Sequence, residues 1–147
     1  MKGTIAKCLE EMVCARHGRE RWHQVQADVG LSRWHTFLTT EDVDDALVNQ
    51  LFKSTASVLR QSIEATQEDF GIYWSTSYAP DIYGVFFRRA ANAREMLLSV
   101  AAIHQATTEQ LKGAAPPRFH YHWLGDDTLG MTYESKRGLA APMPSLI

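Results

Sequence analysis

Two adjacent prolines, Pro116 and Pro117, divide this 147-residue chain into stretches of different periodicity. A proline lacks the N–H that a helix needs and its ring clashes with the preceding turn, so Ala114-Ala115-Pro116-Pro117 cannot continue a helix. Before this break, apolar residues recur at three- and four-residue intervals. After it come aromatic-rich runs separated by turn residues. Helices first and strands afterwards predict an α+β fold, with a mainly helical N-terminal part packed on a small antiparallel sheet.

Within the helical part, residues 3–17 carry Ile5, Leu9, Met12 and Val13 at helical spacing, and Gly18 can end that helix. A second helix over 19–28 carries Trp22 and Val25. The stretch Leu31 to Thr39 reads as a connector, and Thr40 as the cap of a helix over 41–59. Ser62 caps the next helix, which the run Ser75 to Pro80 is expected to break. Tyr83, Phe86 and Phe87 form an aromatic cluster on a short helix. The strongest helix runs from an Asn92 cap to Leu111, with Gly113 as its stop. Beyond the prolines, Phe119 to Trp123 and Leu129 to Lys136 read as two strands around the turn Gly125-Asp126-Asp127.

Several classes of function lose support from composition. A formal charge of −2 gives no general attraction to nucleic acid or anionic membrane. No window approaches the roughly 18 consecutive apolar residues of a membrane span. Met1-Lys2-Gly3-Thr4-Ile5 lacks the apolar core of a secretory signal, and both features point to the cytoplasm. Cys8 and Cys14, six residues apart on one helix, would stand about 9 Å from each other, too far for a disulfide. Neither a G-x-S-x-G elbow nor a phosphate-cradling glycine loop occurs, so the chain is not read as an enzyme. Asp42, Asp44 and Asp45 suit a helix start, and His17, His23 and His35 suit the surface. Short-range pairs for zinc exist in Cys14 with His17 and in His120 with His122, without a C-x-x-C or H-x-x-x-H set behind them.

Two constellations carry chemistry. On a strand, Tyr133, Ser135 and Arg137 point the same way at intervals of about 6–7 Å, a row of two hydroxyls and a guanidinium suited to paired carboxylates. The same spacing also suits a solvated strand face. His104 interrupts the apolar stripe Leu97, Val100, Ala101, Thr108 and Leu111. A histidine there is more often bonded to a carbonyl in the core than bound to a metal, yet an imidazole on an apolar surface is also what axial haem ligation requires. Together the imidazole and the anion-binding row match the iron and the two propionates of a haem.

At this point the sequence resembles a known family. Met1-Lys2-Gly3-Thr4-Ile5 resembles the opening of H-NOX (haem nitric oxide/oxygen binding) domains, which are related to the haem domain of soluble guanylate cyclase. Ile103-His104, with Lys112-Gly113-Ala114-Ala115-Pro116-Pro117-Arg118 after it, resembles their proximal-histidine helix and proline turn. Tyr133-Glu134-Ser135-Lys136-Arg137 fits their Y-x-S-x-R signature. The resemblance implies one domain over 1–147 that holds haem b between its helical part and its sheet. His104 would ligate the iron, and Tyr133, Ser135 and Arg137 would hold the propionates. Pro117 would press on the porphyrin, and Ile5 and Leu9 would line the distal side.

It further implies a sensor of NO and CO that signals to a histidine kinase or a cyclic-nucleotide enzyme. In family members that hold O₂, a distal tyrosine a few residues after the signature arginine donates to the bound gas. Here Gly138-Leu139-Ala140-Ala141-Pro142-Met143 contains none. NO binds ferrous haem without such a donor, so NO and CO binding with little stable O₂ binding is expected. Family members continue past the signature with another helix and two strands. Measured against them, the chain is expected to be truncated at its C-terminus. The alternative reading is a haem-free H-NOX-like module that regulates a kinase or cyclase by contact alone.

Overall fold

A computed structural model describes residues 3–108 and 116–135, which fall into two compact units divided between Tyr78 and Ala79. The first unit is helical: α1 (Gly3–His17), α2 (Arg19–Asp28), α3 (Asp45–Leu59), α4 (Ile63–Tyr73) and a π-helical turn (Trp74–Tyr78). The second contains α5 (Ala79–Ile82), α6 (Gly84–Arg89), α7 (Ala93–Thr108), β1 (Arg118–Trp123) and β2 (Leu129–Glu134). The expected helical part and small antiparallel sheet are both present. The stop of α7 near Leu111 and Gly113, and everything from Lys136 onward, lie outside the described residues.

Hydrophobic burial holds the first unit together. Leu9, Met12 and Val13 of α1, Trp22 and Val25 of α2, and Val48 and Leu51 of α3 are excluded from solvent. Each such side chain contributes about 1.5–3 kcal/mol relative to exposure. An aromatic row extends this core: Phe52 meets Phe70 edge-on at 5.1 Å, Phe70 meets Trp74 at 5.9 Å, and Trp74 meets Tyr78 at 5.4 Å. The last three are spaced four residues apart, so they stack along one face. Gly3 is buried at the start of α1, where a Cβ would overlap the Leu38 carbonyl, so only glycine allows that approach.

Three local expectations are corrected. Helix α3 starts at Asp45 and is capped by Asp44, whose carboxylate accepts from the Ala46 N–H at 2.6 Å. Thr40 is not the cap, because Glu41 is committed elsewhere. Its carbonyl accepts from Gly3 N–H at 2.9 Å and its carboxylate from Leu38 N–H at 2.9 Å. Ser75 to Pro80 does not break the helical path; the turn widens instead. Ser75 Oγ donates to Gly71 O at 3.0 Å and Thr76 Oγ1 to Ile72 O at 2.6 Å, covering carbonyls as the ladder changes register toward Pro80. His23 and His35 are half-buried rather than surface residues, whereas His17 is exposed. By contrast, the Ser62 cap stands as read, with Oγ accepting from Ala65 N–H at 3.0 Å.

Both cysteines are free thiols, Cys8 buried and Cys14 half-buried. Burial pushes both thiols up from their ordinary value, so neither is primed as a nucleophile. No helix of the described residues is long and apolar enough to cross a membrane.

Candidate functional site

The second unit carries His104 and Tyr133, and side-chain capping sets its main helix. Asn92 Oδ1 accepts from Glu95 N–H at 3.0 Å, and Glu95 Oε2 accepts from Ala91 N–H at 2.8 Å. From that start, α7 presents Leu97, Val100 and His104 at the 3, 4, 7 spacing of one face. The imidazole Nδ1 of His104 lies 2.9 Å from the Val100 carbonyl oxygen. A carbonyl can only accept, so Nδ1 carries the hydrogen of this bond. Sequence reasoning weighed a carbonyl-bonded histidine against a metal ligand. The observed bond is compatible with both, because metal-ligating histidines usually donate their other ring N–H in this way.

The hairpin packs on this helix. Its strands pair antiparallel, with Phe119 opposite Tyr133, Tyr121 opposite Met131 and His122 opposite Gly130. Phe119, Tyr121, Met131 and Tyr133 therefore share one face, and each is half-buried. The Phe119 ring lies 5.3 Å from that of His104 and 5.5 Å from that of Tyr133. Tyr121 OH donates to Leu97 O at 3.0 Å, tying the strand to α7. Burial pushes the Tyr121 phenol above its ordinary value, partly offset by the Ala101 backbone N–H. The opposite face is open: His120 Nε2 stands 3.6 Å from Glu134 Oε2, and both side chains are well exposed.

The structure thus brings His104 and Tyr133 each within ring contact of Phe119. Ser135 follows β2 two residues after Tyr133 and is likewise half-buried, as is Pro117 just before β1. Arg137 lies outside the described residues. Ile5 and Leu9 belong to α1 in the helical unit, Ile5 half-buried and Leu9 fully buried. Phe119 and Tyr121 were read only as strand residues. The signal for their role is the hairpin register, since counting back across Gly125-Asp126-Asp127 from Tyr133 reaches Phe119. The zinc alternative gains nothing: among the described residues no group of three or more His, Cys, Asp or Glu could hold a metal ion.

Comparison with known proteins adds family and fold. Several solved H-NOX structures share the fold. One is a Cs H-NOX variant carrying 4-cyano-L-phenylalanine, at TM-score 0.88 and 22% identity, covering 99% of this chain and 78% of that one. A T. tengcongensis H-NOX point variant matches at TM-score 0.85 and 22% identity, with 99% and 79% covered. An oxygen-binding H-NOX domain related to soluble guanylate cyclases, solved as its oxygen complex, matches at TM-score 0.86 and 22% identity, with 99% and 77% covered. No curated protein sequence matches the chain. The haem-NO-binding family model matches residues 2–147, virtually the whole length, and the chain belongs to that family.

Proposed function

We propose that this chain is a haem-based gas sensor that takes NO and CO at ferrous haem b and signals to a partner protein. The observation that carries this reading is the His104 Nδ1 bond to Val100 O, 2.9 Å long, which orients the ring in the way that metal-ligating histidines are usually held. The surrounding residues fit the group. Among the described residues of the second unit only Ala79 is buried, so Leu97, Val100, Ile103 and Phe119 stay partly open. A flat apolar porphyrin is the kind of surface that would cover them. Tyr133 and Ser135 offer hydroxyls about 6–7 Å apart along a strand, a spacing suited to two propionates.

Haem, when bound, would supply a ferrous iron with an open position for a diatomic gas. The chain's own residues then divide the work. His104 holds the ring nitrogen at a fixed angle through its bond to Val100, and Phe119 packs the imidazole in place. The Tyr133 and Ser135 hydroxyls, with Arg137, would donate to the propionate carboxylates. Pro117 would supply a rigid apolar contact against the porphyrin. The segment 138–143 contains no tyrosine to donate to bound O₂, which favours NO and CO. The signal goes to a histidine kinase or a cyclic-nucleotide enzyme.

The test is the absorption spectrum of the reduced, haem-reconstituted chain in air, under CO and under NO. A Soret band that moves with NO and CO and is indifferent to air supports the reading. A stable oxy spectrum would overturn the gas preference. Protein that stays colourless with haem supplied would leave the haem-free contact module in its place.

A further inference from the structure

The peptide group that faces His104 is itself held from β1. In α7 the Leu97 carbonyl accepts from the N–H of Ala101, four residues on. It also accepts from Tyr121 OH at 3.0 Å, and the Ala101 N–H lies close enough to act on the phenol oxygen. One hydroxyl thus touches both ends of a single rung of the helix. The Ala101 N–H belongs to the same planar peptide group as the Val100 carbonyl, because the bond joining them does not rotate freely. That carbonyl is the one that meets His104 Nδ1 at 2.9 Å. Direct contacts therefore run from the Tyr121 hydroxyl, through one rigid peptide, to the imidazole.

The hydroxyl is not needed to satisfy the helix. Leu97 O already has its partner in the ladder, so what Tyr121 adds is a fixed position for this turn. Its neighbour on the same face of β1 acts on the same target. Phe119 lies two residues earlier, its ring within 14° of parallel to that of Tyr121 at 6.5 Å, and it contacts the His104 ring at 5.3 Å. One strand face thus reaches the imidazole directly through Phe119 and the peptide behind it through Tyr121.

We propose that Tyr121 is a positioning residue for the iron ligand: its hydroxyl fixes the Val100–Ala101 peptide, and that peptide holds the Nδ1–H of His104. An imidazole whose Nδ1–H is firmly bonded is a more basic ligand through its other nitrogen. The proposal rests on the reading of His104 as the ligand, while the grip on the imidazole belongs to the haem-free chain as well.

NMR of the isotope-labelled, haem-free full chain reads the hydrogen on His104 Nδ1 and tests the grip. Its exchange with solvent should be about threefold to tenfold faster in Tyr121→Phe than in the parent, the worth of one hydrogen bond. Phenylalanine keeps the ring beside Phe119 and removes only the hydroxyl, so the variant should fold. Asn92→Ala gives up a bond of similar worth at the far end of α7 and should exchange like the parent. Unchanged exchange in Tyr121→Phe, or equal acceleration in Asn92→Ala, overturns the proposal. In the reduced, haem-reconstituted chain, resonance Raman should place the iron–histidine stretching band at lower frequency in Tyr121→Phe, because a loosened Nδ1–H leaves a weaker ligand. Haem-loaded parent and variant with the same band would overturn the proposal and leave the sensor reading intact. Faster exchange in a chain that takes up no haem would sink the sensor reading and leave the grip on the imidazole standing.

Discussion

Replacing Phe70 separates the contribution of apolar volume from that of ring geometry in the helical unit. Phe70 is 3% exposed and stands between Phe52 at 5.1 Å and Trp74 at 5.9 Å. Alanine there removes the whole ring and leaves a cavity, a change that costs about 3–5 kcal/mol in buried cores. Leucine restores most of the hydrocarbon and forfeits mainly the two ring pairs. At about 0.5–1.5 kcal/mol each, their loss is worth about 1–3 kcal/mol. Since small domains have only about 5–15 kcal/mol in total, Phe70→Ala should remove a large part of the stability while Phe70→Leu keeps more of it. Urea unfolding of the haem-free protein, followed by tryptophan fluorescence and circular dichroism, measures both. An alanine cost below about 1 kcal/mol would refute the packing argument. Equal costs for alanine and leucine would show that ring geometry, and not burial, dominates.

Further perturbations follow from individual contacts. Asp44→Ala should cost about 1 kcal/mol by removing the α3 cap, whereas Thr40→Ala should cost almost nothing, as urea midpoints will show. Gly130 lies where a Cβ would overlap the His122 ring on the paired strand. The exposed His122 side chain can rotate away, so Gly130→Ala should cost less than about 1 kcal/mol, and what remains should vanish in a His122→Ala background; a loss above about 2 kcal/mol would contradict this. The pKa of Cys8 is raised by burial above its ordinary value of 9.0, so the native state holds the thiol proton longer than the unfolded chain does. Its contribution to stability is intact below that value and falls as pH climbs beyond it. Cys8→Ala should show a shallower decline in alkaline unfolding titrations than the parent.

Much of this fold was legible because its signals are local. Helices over 3–17 and 19–28, the caps at Ser62 and Asn92, and the hairpin around Gly125-Asp126-Asp127 follow from spacing and capping chemistry within a few residues. The misplaced start of α3 has a tertiary cause: Glu41 is drawn away by Gly3 and Leu38, contacts that periodicity cannot see. The widened turn at Trp74–Tyr78 was hidden for a related reason. Proline signals a break, but hydroxyls at Ser75 and Thr76 cover the carbonyls that such a break would strand. His35 lies in a connector with no periodicity to fix which side chains turn inward, so its ring contact with Phe37, two residues on at 4.6 Å, was not legible. Stripe and strand patterns single out His104 and Tyr133 in the sequence. Phe119, whose ring contacts both, required the strand register.

The most direct test of the account is the reduced, haem-reconstituted spectrum of His104→Ala beside the parent, with and without added imidazole. The account predicts a Soret band of histidine-ligated ferrous haem in the parent, its loss in the variant, and its return when free imidazole takes the place of the missing ring. A His104→Ala protein with the parent's spectrum and no response to imidazole would show that another residue ligates the iron, contradicting the central claim.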